Sequence, residues 1–148
     1  MRALLQRVSR ASVRVEGHIV GSVRTGLLVL LGVAPEDSHR DLEYLAEKLL
    51  SLRIFRDEMG RMNRSVLDVE GSILLVSQFT LYASTRKGRR PYFSGGASPE
   101  HARSMYEELA RLLATRLDVA TGVFGAPMEV ELLNDGPVTI MLDSKARE

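Results

Sequence analysis

The sequence offers few residues for chemistry. Its 148 residues contain three histidines and no cysteine. Without cysteine there are no disulfides, no thiolate zinc sites and no thiol nucleophile. His18 falls in an expected turn, and His39 and His101 in the first turns of expected helices. None has a partner at metal-ligand spacing, and no HExxH pattern occurs. No GxSxG elbow presents a serine either. The spacing therefore argues against a zinc enzyme and a Ser-His-Asp hydrolase, and no metal or cofactor is expected. Asp41, Glu43, Glu47, Glu107 and Glu108 lie on faces of expected helices and read as solvated surface.

Three segments remain. Ser77-Gln78-Phe79-Thr80 gathers two hydroxyls, an amide and an aromatic ring at the end of an apolar run. Such an end either terminates a strand in the ordinary way or turns amides and side-chain donors toward a ligand. Arg86-Lys87-Gly88-Arg89-Arg90 is the densest positive cluster, with Tyr92 and Phe93 just behind it. Basic residues beside aromatics grip phosphates and stack on bases, although a solvated loop has the same composition. Asn134-Asp135-Gly136-Pro137 is a strong turn sequence and reads as a hairpin turn between two strands.

Positioning these segments takes strands and two helices. Val13 and Val15 alternate with polar neighbours, Glu16-Gly17-His18 makes a turn into Ile19–Val23, and Leu27–Val33 is an uninterrupted apolar run. That run suits a central strand covered on both faces. Pro35-Glu36-Asp37-Ser38 signals a helix start, with acids where the helix dipole favours them. Leu42, Leu45, Ala46, Leu49 and Leu52 continue the helix to about Arg53. Asp57–Gly60 is a turn, and Ile73–Val76 a strand that delivers Ser77–Thr80. Ser98-Pro99 opens a second helix striped by Ala102, Met105, Tyr106, Leu109 and Leu113. Strands over Val119–Phe124, Met128–Leu133 and Val138–Leu142 close the chain, the middle one with a wet face at Glu129 and Glu131. The expected fold is α+β: a mixed, mainly antiparallel, barrel-like sheet core with two main helices packed on it. One domain spans 1–148, with 144–148 expected as a loose tail.

Composition is that of an ordinary globular chain, 45% hydrophobic and 26% charged, with net charge +1. No apolar stretch approaches the roughly 18 residues of a membrane span, and the N-terminus does not read as a signal peptide. A cytoplasmic address is expected, and any contact with RNA must be through a local patch.

Taken together, Ser77-Gln78-Phe79-Thr80-Leu81, Arg86-Lys87-Gly88-Arg89-Arg90-Pro91, Phe124-Gly125-Ala126 and Asn134-Asp135-Gly136-Pro137-Val138-Thr139 resemble the D-aminoacyl-tRNA deacylase family. The opening Met1-Arg2-Ala3-Leu4-Leu5-Gln6-Arg7-Val8 looks like that family's N-terminus, and the similarity runs in order to Asp143. The resemblance implies a homodimer that hydrolyses the ester between a D-amino acid, or glycine mischarged on an alanine tRNA, and the terminal ribose of tRNA. This would be a proofreading step in translation quality control. It implies catalysis at Ser77, Gln78, Phe79 and Thr80. Backbone amides around Gln78 and Phe79 are the candidate oxyanion donors, and Thr80 offers either a hydroxyl nucleophile or a main chain that holds the substrate's amino group while the ribose 2′-hydroxyl assists a water. It further implies a cis peptide between Gly136 and Pro137, reaching into the partner's pocket to reject L-amino acids. Phe124 and Met128 would line that pocket, and Arg86, Lys87, Arg89 and Arg90 would receive the tRNA acceptor end. The alternatives are a sister enzyme that clears L-alanyl-tRNA, with Gly136-Pro137 trans, and a non-catalytic RNA-binding module.

Overall fold

The computed structural model describes residues 1–147. Its strands are β1 (Arg2–Val15), β2 (His18–Val23), β3 (Gly26–Gly32), β4 (Phe55–Arg56), β5 (Met62–Arg64), β6 (Ser72–Ser77), β7 (Val119–Thr121) and β8 (Glu129–Asp143); the helices are α1 (His39–Ser51) and α2 (Pro99–Ala114). The main sheet runs β2-β1-β3-β6-β7, with β8 pairing along the other edge of β1. β1 is antiparallel to β2, β3 and β8, whereas β3–β6 and β6–β7 are parallel. The outer strands β2 and β7 close toward one another. At Gly21 a Cβ would strike the Thr121 carbonyl, so only glycine permits that approach. The mixed, nearly closed sheet with two helices is the expected fold.

Period-two alternation divides the core in two. Leu27, Val29 and Leu31 of β3, with Ile73 and Leu75 of β6, face the helices and pack against Leu42, Leu45, Leu49, Met105, Leu109 and Leu113. Leu28, Leu74 and Val76 face the other way, against Val8, Val13 and Val23 inside the curved sheet. A strand buried on both faces must read as a continuous apolar run, as β3 does.

Four local expectations change. α1 starts at His39, with Ser38 as cap and Asp41 completing a capping box. Asp37 is therefore outside the helix, and its carboxylate is buried between the Met1 ammonium at 2.6 Å and the Ala34 amide at 2.6 Å. Asp41 is not solvated surface: it is buried, and Lys145 Nζ lies 2.9 Å from its Oδ2. Nor are residues 144–147 loose. Ser144 is buried, its amide donates to the Met1 carbonyl at 2.9 Å and its Oγ accepts from the Met1 ammonium at 2.6 Å. Glu148 lies outside the described residues.

The fourth change concerns Asn134–Pro137. A hairpin turn would reverse the chain, but β8 continues through it, because both halves pair antiparallel with the same long β1. Thr139 lies opposite Gln6 and Asn134 opposite Val8, so residues 135–138 bulge out of the ladder. Asn134 Nδ2 ties off the bulge, donating to the Arg7 carbonyl at 3.0 Å and the Val138 carbonyl at 3.1 Å.

Candidate active site

β6 ends at Ser77 and the chain tightens at once into a 3₁₀ turn, Phe79–Tyr82. Gly32 of β3 makes room for it: a Cβ there would lie 3.1 Å from the Gln78 carbonyl and 3.2 Å from the Tyr82 ring. The Gln78 amide continues the sheet by donating to the Leu31 carbonyl at 2.7 Å. It is therefore spent, and of the two amides expected as oxyanion donors only that of Phe79 remains. The first amides of a helical turn, here Phe79 and Thr80, have no acceptor within the turn. The Gln78 side-chain amide donates to the Thr80 hydroxyl oxygen.

Ser77, Gln78 and Phe79 open onto a cavity of about 500 Å³, which Phe124 and Met128 also line. This is the volume of a small-molecule site, mostly apolar with a few convergent polar groups. Phe124 is fixed by the Tyr106 ring, 5.9 Å between centroids, and by the Arg103 guanidinium over its face at 5.4 Å. Tyr106 is itself pinned by its hydroxyl, which donates to the Leu75 carbonyl at 2.7 Å. Burial pushes that hydroxyl up to about 12, so it stays protonated and cannot act as a base near neutral pH. At the mouth stand two exposed rings, Phe79 and Phe93, edge to face at 5.6 Å.

The histidines are elsewhere. His39 Nδ1 lies 2.7 Å from Glu108 Oε1, linking the two helices, and His101 Nε2 meets the Asp37 carbonyl at 3.0 Å. Among the described residues no cluster of His, Asp and Glu could hold a metal.

Not every expected site residue lines the cavity. Thr80, on the 3₁₀ turn, does not line it, and Arg86, Lys87, Arg89 and Arg90 lie on an exposed loop closed by a bridge between Ser84 and Tyr92. Gly136 and Pro137 are exposed on the β8 bulge, joined by a cis peptide, and do not line this cavity.

Their anchor was missed from sequence. Arg7 has only 1% of its side chain exposed. Its Nη1 donates to the Ile54 carbonyl at 2.5 Å, Nε to the Asp135 carbonyl at 3.1 Å and Nη2 to the Gly136 carbonyl at 3.4 Å. Nε also lies 3.1 Å from Asp135 Oδ2. A signal existed: Ala3 and Leu5 face inward, and Arg7 continues their odd-numbered series into the core. A charge at an inward strand position needs partners, which its neighbours in sequence cannot supply.

The family model described as D-Tyr-tRNA(Tyr) deacylase matches residues 4–143. A D-aminoacyl-tRNA deacylase of Thermosipho africanus (strain TCF52B) is 56% identical over 146 residues, 98% of each chain. One of Koribacter versatilis (strain Ellin345) is 59% identical over 146 residues, again 98% of each. Among solved structures, one described as c-Myc DNA Unwinding Element Binding Protein superposes with a TM-score of 0.93 at 42% identity, covering 99% of this chain and 100% of that one. Another, described as a probable eukaryotic D-amino acid tRNA deacylase, shares the fold at 18% identity, with a TM-score of 0.82 over 95% and 97% of the two chains. The chain therefore belongs to the D-Tyr-tRNA(Tyr) deacylase family, enzymes that hydrolyse the ester of D-aminoacyl-tRNA.

Proposed function

We propose that residues 77–80 hydrolyse the ester by main-chain electrostatics, and that Gly136-Pro137 supplies chiral rejection across a homodimer interface. The observation that carries this is the convergence of Ser77, Gln78 and Phe79 with Phe124 and Met128 on one cavity without an acid–base pair.

Water adds to the ester carbonyl carbon, and the carbonyl oxygen becomes an oxyanion facing the Phe79 amide. One such donor is worth about 3–4 kcal/mol. The tetrahedral intermediate then expels the ribose 3′-oxygen, which takes up a proton, and free amino acid and tRNA leave. The vicinal ribose 2′-hydroxyl assists the water. Ser77 and the Gln78 side chain orient the ribose and carbonyl, and the main chain at Thr80 holds the substrate's amino group. This reading leaves the Thr80 hydroxyl out of the bond-making: its oxygen accepts a bond from Gln78, and the motif holds no histidine or lysine to activate it.

Enantioselectivity cannot come from recognising the side chain, since a methylene in a pocket discriminates by only about 1–3 kcal/mol. Collision works for every side chain alike. Main-chain carbonyls of Gly136 and Pro137, presented by the partner subunit, would occupy the space into which an L side chain projects. A D side chain points elsewhere, and glycine has nothing to collide. The exposed loop of Arg86, Lys87, Arg89 and Arg90 receives the phosphates of the acceptor end. Its partners are thus tRNA and a second copy of the chain, with no membrane and no cofactor, in the cytoplasm where aminoacyl-tRNA is consumed.

The test is glycyl-tRNA beside D-tyrosyl-tRNA. Collision predicts that both are hydrolysed, and robust protection of glycine would refute it. Retained hydrolysis in Thr80→Ala supports the main-chain mechanism, whereas complete loss in a folded variant would sink it.

A further inference from the structure

We propose that Arg56 is a positioning residue for enantioselectivity, the second of two guanidinium groups that aim the Gly136 carbonyl. The inference rests on the reading of Gly136-Pro137 as the chiral filter.

Arg56 lies on the short β4–β5 hairpin, far in sequence from the bulge it touches. Its Nη1 is 3.2 Å and 3.3 Å from the two carboxylate oxygens of Asp135, and its Nη2 is 3.4 Å from the Gly136 carbonyl oxygen. Arg7 reaches the same carboxylate and the same carbonyl. At 3.4 Å each bond to that carbonyl is long, so neither guanidinium alone fixes its direction. Two donors, tied to one carboxylate, define it.

The hairpin is built to hold Arg56 there. Phe55 is buried in the core, and a register shift between Phe55 and Arg56 breaks the ladder just where the guanidinium must turn toward residue 135. The tip is tied down by Asp57, whose Oδ1 accepts from the amides of Met59 and Arg61 at 2.9 Å each. Asp57 also has its own cation in Arg61 at 3.5 Å, so the nearest rival acid is already engaged. Arg7 grips the base of this hairpin as well, through the Ile54 carbonyl. Residues 54–56 and 135–136 are thus one unit, laced by two arginines.

The two differ in what they can reveal. Arg7 is buried and serves folding too; Arg56 is 49% exposed, so its removal leaves the core intact. Initial rates on D-tyrosyl-tRNA and L-tyrosyl-tRNA are measured for wild type, Arg56→Ala and Arg56→Lys, at low and high salt. With Arg56→Ala the D rate holds, the L rate rises, and the ratio of the two falls by about fivefold, the fold-change of a well-formed exposed pair. Salt lowers the wild-type ratio more than that of Arg56→Ala, because the exposed Arg56 pair is screened more than the pair that buried Arg7 keeps with Asp135. Lysine restores part of the ratio, since an ammonium lacks the fork that reaches carboxylate and carbonyl together. A structural role alone would lower both rates together and leave the ratio flat. A ratio in Arg56→Ala equal to wild type overturns the proposal. Gly136→Ala tests the reading beneath it, for its Cβ meets only Asn134 Oδ1 at 3.6 Å. If that methyl leaves every rate unchanged, residue 136 does not face substrate, and the filter and this proposal both fall. If it changes the rates while Arg56→Ala does not change the ratio, the role of Arg56 alone is refuted.

Discussion

Replacing Arg7 by methionine keeps an unbranched chain in the core and removes every donor. Three carbonyls and one carboxylate lose a partner. The Ile54 carbonyl is the costly one: its bond is fully buried, and an unsatisfied buried acceptor costs about 1–3 kcal/mol. The Asp135 and Gly136 carbonyls are partly accessible, so water replaces the guanidinium there, at about 1 kcal/mol together. The Asp135 carboxylate is 41% exposed and keeps Arg56, so the lost ion pair adds about 0–1 kcal/mol. Methionine regains something, because a guanidinium no longer has to be desolvated. The net is a loss of about 2–4 kcal/mol, roughly 8 °C in Tm for a chain of this size. Urea unfolding followed by circular dichroism measures it, and the ratio of L to D hydrolysis is read well below the midpoint. A variant within about 0.5 kcal/mol of wild type would show that the arginine does not hold the bulge. A destabilised variant that still spares L-aminoacyl-tRNA would detach the anchor from the filter.

Three further outcomes are expected. Gly32→Ala pushes on the Gln78 carbonyl and the 3₁₀ turn, so kcat falls roughly tenfold with KM little changed; unchanged kcat would show that the turn need not be held closely. Burial by itself would raise the Asp41 carboxyl, but hydrogen bonds from Ser144, the Ser38 amide and Lys145 outweigh it and hold it well below the usual range. Its stabilisation is thus complete above the unfolded pKa of about 3.9 and lost as pH falls through the lower folded value. Tm measured from pH 5 to 2 should drop more steeply for wild type than for Asp41→Asn, and equal slopes would contradict this. Reversing charge at Arg89 and Arg90 should weaken tRNA binding equally for all amino acids and flatten its salt dependence, whereas an effect confined to one amino acid would place these residues at the aminoacyl group.

The elements were legible because their periodicities are strong. The doubly buried β3 and the stripe of α2 follow from spacing alone, and Ser98-Pro99 starts its helix as expected. Ser77–Phe79, Phe124 and Met128 do meet at one cavity, but it took the resemblance to join them. Each segment by itself looks like ordinary strand end or core. What stayed illegible depends on partners distant in sequence. Asn134–Pro137 has turn composition, and only the unbroken β1 beside it makes it a bulge. Asp37, Asp41 and Ser144 look like surface until the Met1 ammonium and Lys145 arrive from the ends of the chain. Arg7 and Arg56 meet Asp135 across 128 and 79 residues, separations that no local pattern encodes.

The most direct test is the ratio of kcat/KM for D-tyrosyl-tRNA and L-tyrosyl-tRNA, measured on one preparation of the unmodified chain. Hydrolysis of the D ester with the L ester left intact is the expected result. Equal rates on the two esters would remove main-chain exclusion from the account, and no hydrolysis of either would remove residues 77–80 from catalysis.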